Sequence, residues 1–221
     1  AARRLRHHCD LALLATFGLH GARLDWEGIP LYPGGADPFA NDVVKAAAQD
    51  WGANIVITLK DTFVFNPQAF EGLRWCPLVP CDHEPAPPQV VERLRYAYRP
   101  IAYAPQGFQA LRDVGLDPLY CPHSYDPLIF HPEPRAEARK FLGLPDDIFI
   151  VGTVAVNRGG IPSRKAWAEN LQAFALFARQ HPDAFYYVHT ALCDNGEEGG
   201  VPLRPLAASL GILDRVIPCN Q

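Results

Sequence analysis

Short runs of apolar and β-branched residues alternate along this chain with stretches in which apolar side chains recur every three or four positions. The short runs predict strands at 9–18, 53–61, 76–82, 99–105, 117–126, 147–156, 184–192 and 215–219. The stretches between them predict helices over 42–51, 88–98, 106–114, 134–142, 163–180 and 203–210. Val43, Val44, Ala47 and Trp51 line one side of the first helix. Trp167, Leu171, Phe174 and Ala178 do the same in 163–180, where Ser163 is the expected N-cap. Near-continuous apolar strands alternating with helices imply parallel sheets covered on both faces. The fold class is α/β, doubly wound.

The segment 127–146 is rich in proline and charge and separates two series of strands. It predicts an N-terminal domain over 1–126, a linker over 127–146 and a second domain over 147–221. Methionine is absent even at position 1, and the second series has only three strands. Both features suggest a piece of a longer chain with a truncated second domain. The 22 prolines sit at strand ends and in loops, where they punctuate the pattern.

Charge narrows the partners. Lys and Arg number 20 against 24 Asp and Glu, so no broad nucleic-acid footprint is expected and any anion must be met locally. The clearest apolar run, Leu11 to Phe17, is far too short to span a membrane. The preceding "RRLRHH" imitates the front of a signal peptide, but Asp10 interrupts it and no clean small-x-small cleavage site follows. The six cysteines are scattered without a CxxC pair. Cys76, Cys81 and His83 lack a fourth ligand for zinc, so the strand cysteines read as buried hydrophobes and no metal is expected. A reduced, cytoplasmic protein is the simplest expectation.

Ligands of open α/β sheets bind beyond the carboxyl ends of the strands, so polar residues there count most. Asp61 ends one run, Asp82-His83-Glu84 another, and His123-Ser124-Tyr125-Asp126 closes the first series. Asn157-Arg158, His189-Thr190 and Asn220 end strands of the second. Both series thus send polar groups to one edge, as two domains facing a cleft would. Asp82 and His83 are candidates for a general base or an acceptor-binding carboxylate, with a strand-end polar turn as the plainer reading. His123 and His189 read equally well as satisfied core histidines.

Arg164 and Lys165 pose a question. Cations on the first turn of a helix oppose its dipole, unless an anion sits there. A solvated helix start is one reading. The other is a phosphate clamp, with Gly159-Gly160 allowing close backbone approach and helix N–H groups adding donors. Neither a P-loop nor a GxGxxG is present.

The order of these pieces resembles the retaining GT-B glycosyltransferases of the group 1, family 4 type. "PIAYAPQGFQALRDVGLDPLYCPHSYDPLIFHP" is similar to the family's strand–helix passage leading through "P-h/n-G-v-D" into the interdomain linker. "LGLPDDIFIVGTVAVNRGGIPSRKAWAENLQAFALFARQHPDAFYYVHT" looks like the opening of its second domain. The resemblance covers roughly residues 50 to 217. It implies two Rossmann-like domains and transfer of a sugar from a nucleotide-sugar donor, with no metal or other cofactor. The acceptor would be a carbohydrate, a lipid or another molecule, and peripheral membrane association stays open. It assigns Lys165 to the donor diphosphate, with Arg158 or Arg164 as basic partner, and Asp126 to a hinge position. His123-Ser124-Tyr125 stands where the family has a Gly-Val pair, and Ala166 replaces a glycine after the lysine. The glycine-rich loop after the first strand is not seen, and the paired-glutamate segment lies beyond residue 221. Such a piece alone is expected to aggregate readily and to catalyse no transfer. Another two-domain sugar enzyme, a phosphorylase or a sugar-nucleotide epimerase, or a non-catalytic binding module on the same scaffold, remain the alternatives.

Overall fold

A four-residue helix, α1 (Ala2–Leu5), precedes β1 (Leu13–Leu14). The chain then forms β2 (Leu24–Trp26) and β3 (Ile29–Tyr32), which reverse on each other at Glu27-Gly28. Glu27 has φ 55° and Gly28 φ 78°, the pair of positive values a tight hairpin turn needs, and Asp25 Oδ1 accepts from the Gly28 amide at 2.7 Å. Sequence periodicity missed this hairpin because each strand is shorter than a detectable alternation. The structure, a computed structural model, describes residues 2–159, 163–195 and 199–219. It divides into two compact units, 1–126 and 127–221.

In the first unit, α2 (Val44–Trp51) leads to β4 (Val56–Leu59) and β5 (Trp75–Val79). Next come α3 (Pro88–Leu94), β6 (Ile101–Ala102), α4 (Pro105–Asp113) and β7 (Leu119–Tyr120). Strands β4, β5, β6 and β7 form a parallel sheet in that order, and β1, β3 and β2 form a second sheet. The runs expected at 99–105 and 117–126 shrink to two residues each, because Pro100 and Pro105 bracket one and Pro118 and Pro122 the other. Val79, Cys81, Ala102, Leu94, Ala110 and Leu111 make one core between sheet and helices. Trp75 stacks on Phe70 at 4.4 Å, with Phe65 edge-on, in a second core beneath α2. Just beyond β4, the Lys60 ammonium lies 4.9 Å from the centre of the Phe17 ring, a cation–π contact between the loops that follow β4 and β1.

The second unit opens with α5 (Arg135–Leu142), so the segment expected as a linker contains a helix of this unit. The buried Arg139 guanidinium donates to the carbonyls of Pro145 and Ile148, pinning α5 to the loop that enters β8 (Phe149–Val154). Then follow α6 (Trp167–Ala178), β9 (Ala184–His189), α7 (Leu203–Ser209) and β10 (Val216–Pro218). The three strands are parallel, in order β10, β9, β8. Strands added in one direction through right-handed crossovers receive their helices on one face. Trp167, Leu171, Phe174, Leu203 and Ala207 accordingly share one core with Ala184, Tyr186 and Val188. The opposite face carries Val154 and then Val156, 76% and 65% exposed.

Candidate functional site

In the first unit four expected residues reach the carboxyl edge of the parallel sheet. Asp61 ends the β4 run and starts a short 3-10 turn, Thr62–Val64. Cys81 is buried beneath the core while Asp82 and His83 beside it stand in solvent. The Asp82 Oδ1 to His83 Nδ1 distance is 2.7 Å, so the carboxylate fixes that ring nitrogen as the proton-bearing one and leaves Nε2 outward. His123, beyond β7, is exposed and stacks on Tyr103, which leaves β6, with ring centres 4.1 Å apart and planes 28° apart. Burial raises the Tyr103 hydroxyl above its ordinary pKa, and the negative charges of Asp82 and Asp61 push the same way. The structure therefore gathers Asp61, Asp82, Tyr103 and His123 into one neighbourhood. Tyr103 was missed because nothing in "PIAYAP" distinguishes a functional tyrosine from a core one. Asp126 is drawn elsewhere: Arg4 Nη2 donates to its carboxylate at 2.6 Å, tying the end of this unit to α1.

The second unit has a hollow of about 350 Å³ at the carboxyl ends of β8 and β9, lined by Val154, Val156, Asn157, His189 and Thr190 among others. Asn157 is 3% exposed and its side chain is fully engaged. Nδ2 donates to the carbonyls of Ala191 and Val201, and Oδ1 accepts from the Val201 amide. The Asn157 amide in turn donates to Thr190 Oγ1 at 3.0 Å. Asn157 thus builds the floor of the hollow. His189 is exposed at its rim, where Nδ1 meets the Tyr187 hydroxyl at 3.1 Å. Arg158, exposed, follows Asn157 directly and precedes Gly159, whose φ of 93° turns the chain away from the strand. Gly160 and Asn220 lie outside the described residues.

The helix expected from 163 begins four residues later, at Trp167. Ser163 does not cap it. Its Oγ accepts from the Lys165 amide at 3.3 Å in a local turn, and Ala166 at φ 51° occupies the position before the helix. Arg164 and Lys165 therefore stand on the turn that enters α6, exposed, rather than on its first turn. Asn170 Nδ2 donates to the Lys165 carbonyl at 3.1 Å, and Trp167 Nε1 donates to the Val156 carbonyl at 3.3 Å. These bonds dock the helix start against the end of β8. Among the described residues no side chain caps the first amides of α6. Two cations next to uncapped amides suit an anion better than a bare helix start would. Among the described residues no three His, Cys, Asp or Glu side chains are grouped to hold a metal ion. Nor is any helix long and apolar enough to cross a membrane.

No protein-family model and no curated protein sequence matches the chain. Solved structures do match. HepE from Anabaena in complex with UDP and glucose superimposes with TM-score 0.55 and 15% identity, over 86% of this chain and 56% of that one. Its complex with UDP-glucose gives TM-score 0.56 and 17% identity, over 88% and 57%. A glycosyltransferase from Rickettsia africae gives TM-score 0.51 and 11% identity, over 85% and 54%. The chain shares the Rossmann-like fold of these proteins and spans little more than half of their length.

Proposed function

We propose that the protein is a nucleotide-sugar-dependent glycosyltransferase of the GT-B type, moving a hexosyl group to an acceptor with retention of configuration. The observation that carries this reading is the shared fold with structures that hold UDP, glucose or UDP-glucose, over more than four-fifths of the chain. Residues 1–126 form the acceptor side in this reading, 127–146 the connection, and 147–221 part of the donor side. Arg164 and Lys165, with Arg158, meet the donor diphosphate beside the uncapped amides of α6. As the glycosidic bond loosens, negative charge builds on the leaving diphosphate. Fixed cations and helix amides then stabilise the transition state more than the ground state. No metal or cofactor takes part. On the acceptor side, Asp82 holds Nδ1 of His83 while Nε2 accepts a proton from, or hydrogen-bonds to, the incoming hydroxyl. The site lies in the cytoplasm, with peripheral contact to a membrane where the acceptor is a lipid.

The test is transfer and hydrolysis by the intact protein with UDP-, GDP- and ADP-sugars, following diphosphate release and the anomeric proton of the product by NMR. One donor turned over with its anomeric configuration kept is the expected result. Binding of UDP without turnover of any donor would mark a non-catalytic module, and inversion would remove the family 4 assignment.

A further inference from the structure

The Tyr103–His123 stack has no part in the chemistry assigned above. Its chemistry is distinctive. Tyr103 emerges from β6 and is half-buried, held beside β7 by the Cys121 amide donating to the Ala102 carbonyl at 2.8 Å. His123, itself exposed, lies over the phenol with ring centres 4.1 Å and planes 28° apart. Strands β4, β5 and β6 are parallel neighbours, so Asp61 beyond β4 and Asp82 beyond β5 come to the same carboxyl edge as Tyr103 beyond β6. Their charges push the Tyr103 hydroxyl's pKa up together with its burial.

An aromatic face bordered by acceptor oxygens suits a ring that is apolar on one side and rimmed with hydroxyl donors. A pyranose has that form: axial C–H groups on one face and hydroxyls around the edge. The same carboxylates repel a phosphate, which argues against a nucleotide or a phosphorylated lipid headgroup on this shelf. The geometry points to a neutral-sugar subsite in which His123 and Tyr103 form the platform and Asp61 and Asp82 accept hydroxyl hydrogen bonds. The inference rests on the glycosyltransferase reading only in naming the bound sugar as the acceptor, which makes the acceptor a glycan rather than a bare lipid.

Saturation-transfer NMR on the intact protein tests it, with methyl glycosides of glucose, galactose, mannose and N-acetylglucosamine, and with choline and UDP as separate probes. Transfer to the C–H protons on one face of at least one glycoside is expected. His123→Ala should raise its Kd roughly tenfold, in line with the loss of one aromatic contact. His123→Phe should restore binding, because the face and not the imidazole nitrogens makes the contact. UDP binding should be the same in all three proteins. Circular dichroism and melting of the variants check that this exposed substitution leaves the fold intact. Failure of all four glycosides, or equal glycoside binding by His123→Ala, overturns the subsite. So does preference for choline, which would make the shelf a cation site. UDP binding without glycoside binding sinks this inference and leaves the transferase reading standing. Glycoside binding by a protein that turns over none of the UDP-, GDP- and ADP-sugars does the reverse.

Discussion

The side chain of Asn157 is clasped to the backbone of Val201, its Nδ2 donating to the carbonyl at 2.7 Å and its Oδ1 accepting from the amide at 2.9 Å. This buried pair joins the loop after β8 to the segment that enters α7. Replacing Asn157 with Ala leaves the Val201 amide and carbonyl without partners away from water. The expected loss is about 2–4 kcal/mol of stability. Urea denaturation should show a lower midpoint at unchanged slope. A midpoint equal to the parent's would mean that the clasp contributes nothing net.

Arg164 and Lys165 project from a turn whose backbone is held by Ser163 and Asn170, not by their own side chains. Arg164→Ala and Lys165→Ala should therefore melt like the parent. Each should weaken binding of a nucleoside diphosphate, or slow transfer, by roughly 1.5–3 kcal/mol, the scale of a lost charge-assisted contact. Calorimetric titration with UDP reads this directly, and parental affinity in both variants would return the pair to the solvated-turn reading.

Gly107 supports the candidate acceptor edge from beneath. A Cβ at this position of α4 would come within 2.8 Å of the Cys81 carbonyl oxygen, immediately before Asp82 and His83. Gly107→Ala must shift either the helix or that loop, at about 1–3 kcal/mol for overpacking a closed contact. Backbone amide shifts at 81–84 should move in a two-dimensional NMR spectrum, whereas those of the second unit should not.

Asp37 carries a pH dependence. Its carboxylate accepts from the Asn41 amide, the Phe39 amide and Asn41 Nδ2, and these bonds, the Asn41 amide foremost, hold it below the ordinary aspartate pKa. A depressed folded-state pKa means that the stabilisation is complete above the unfolded value and is lost as pH falls through the folded one. Stability should thus decline from the ordinary aspartate range toward stronger acid. Asp37→Asn should flatten that part of the profile, and an unchanged acid limb would refute the assignment.

Val154 and Val156 lie on the open face of the β8 sheet, adjoining the 350 Å³ hollow. Val154→Thr with Val156→Thr keeps the β-branched shape and reduces exposed apolar surface. Light scattering of the 221-residue chain should show less self-association for the double variant than for the parent. Equal scattering would place any association elsewhere.

Much of this protein was legible along the chain. The α/β alternation, the long strands β8 and β9, and the gathering of polar groups at the carboxyl ends of strands all follow from local periodicity and from where proline and glycine interrupt it. Period and interruption are properties of neighbouring residues, so a sequence displays them. Partner choice is not such a property. Ser163 has the chemistry of a helix cap, but its hydroxyl accepts from the Lys165 amide in a turn, and the helix starts at Trp167, docked on the Val156 carbonyl. Asn157 looked like a ligand-binding strand end, but Val201, far along the chain, consumed its amide. Tyr103 and His123 became a stacked pair only because β6 and β7 run side by side. A side chain's role is set by whichever donor, acceptor or ring the fold brings against it, and that is decided by contacts between residues that the linear order keeps apart.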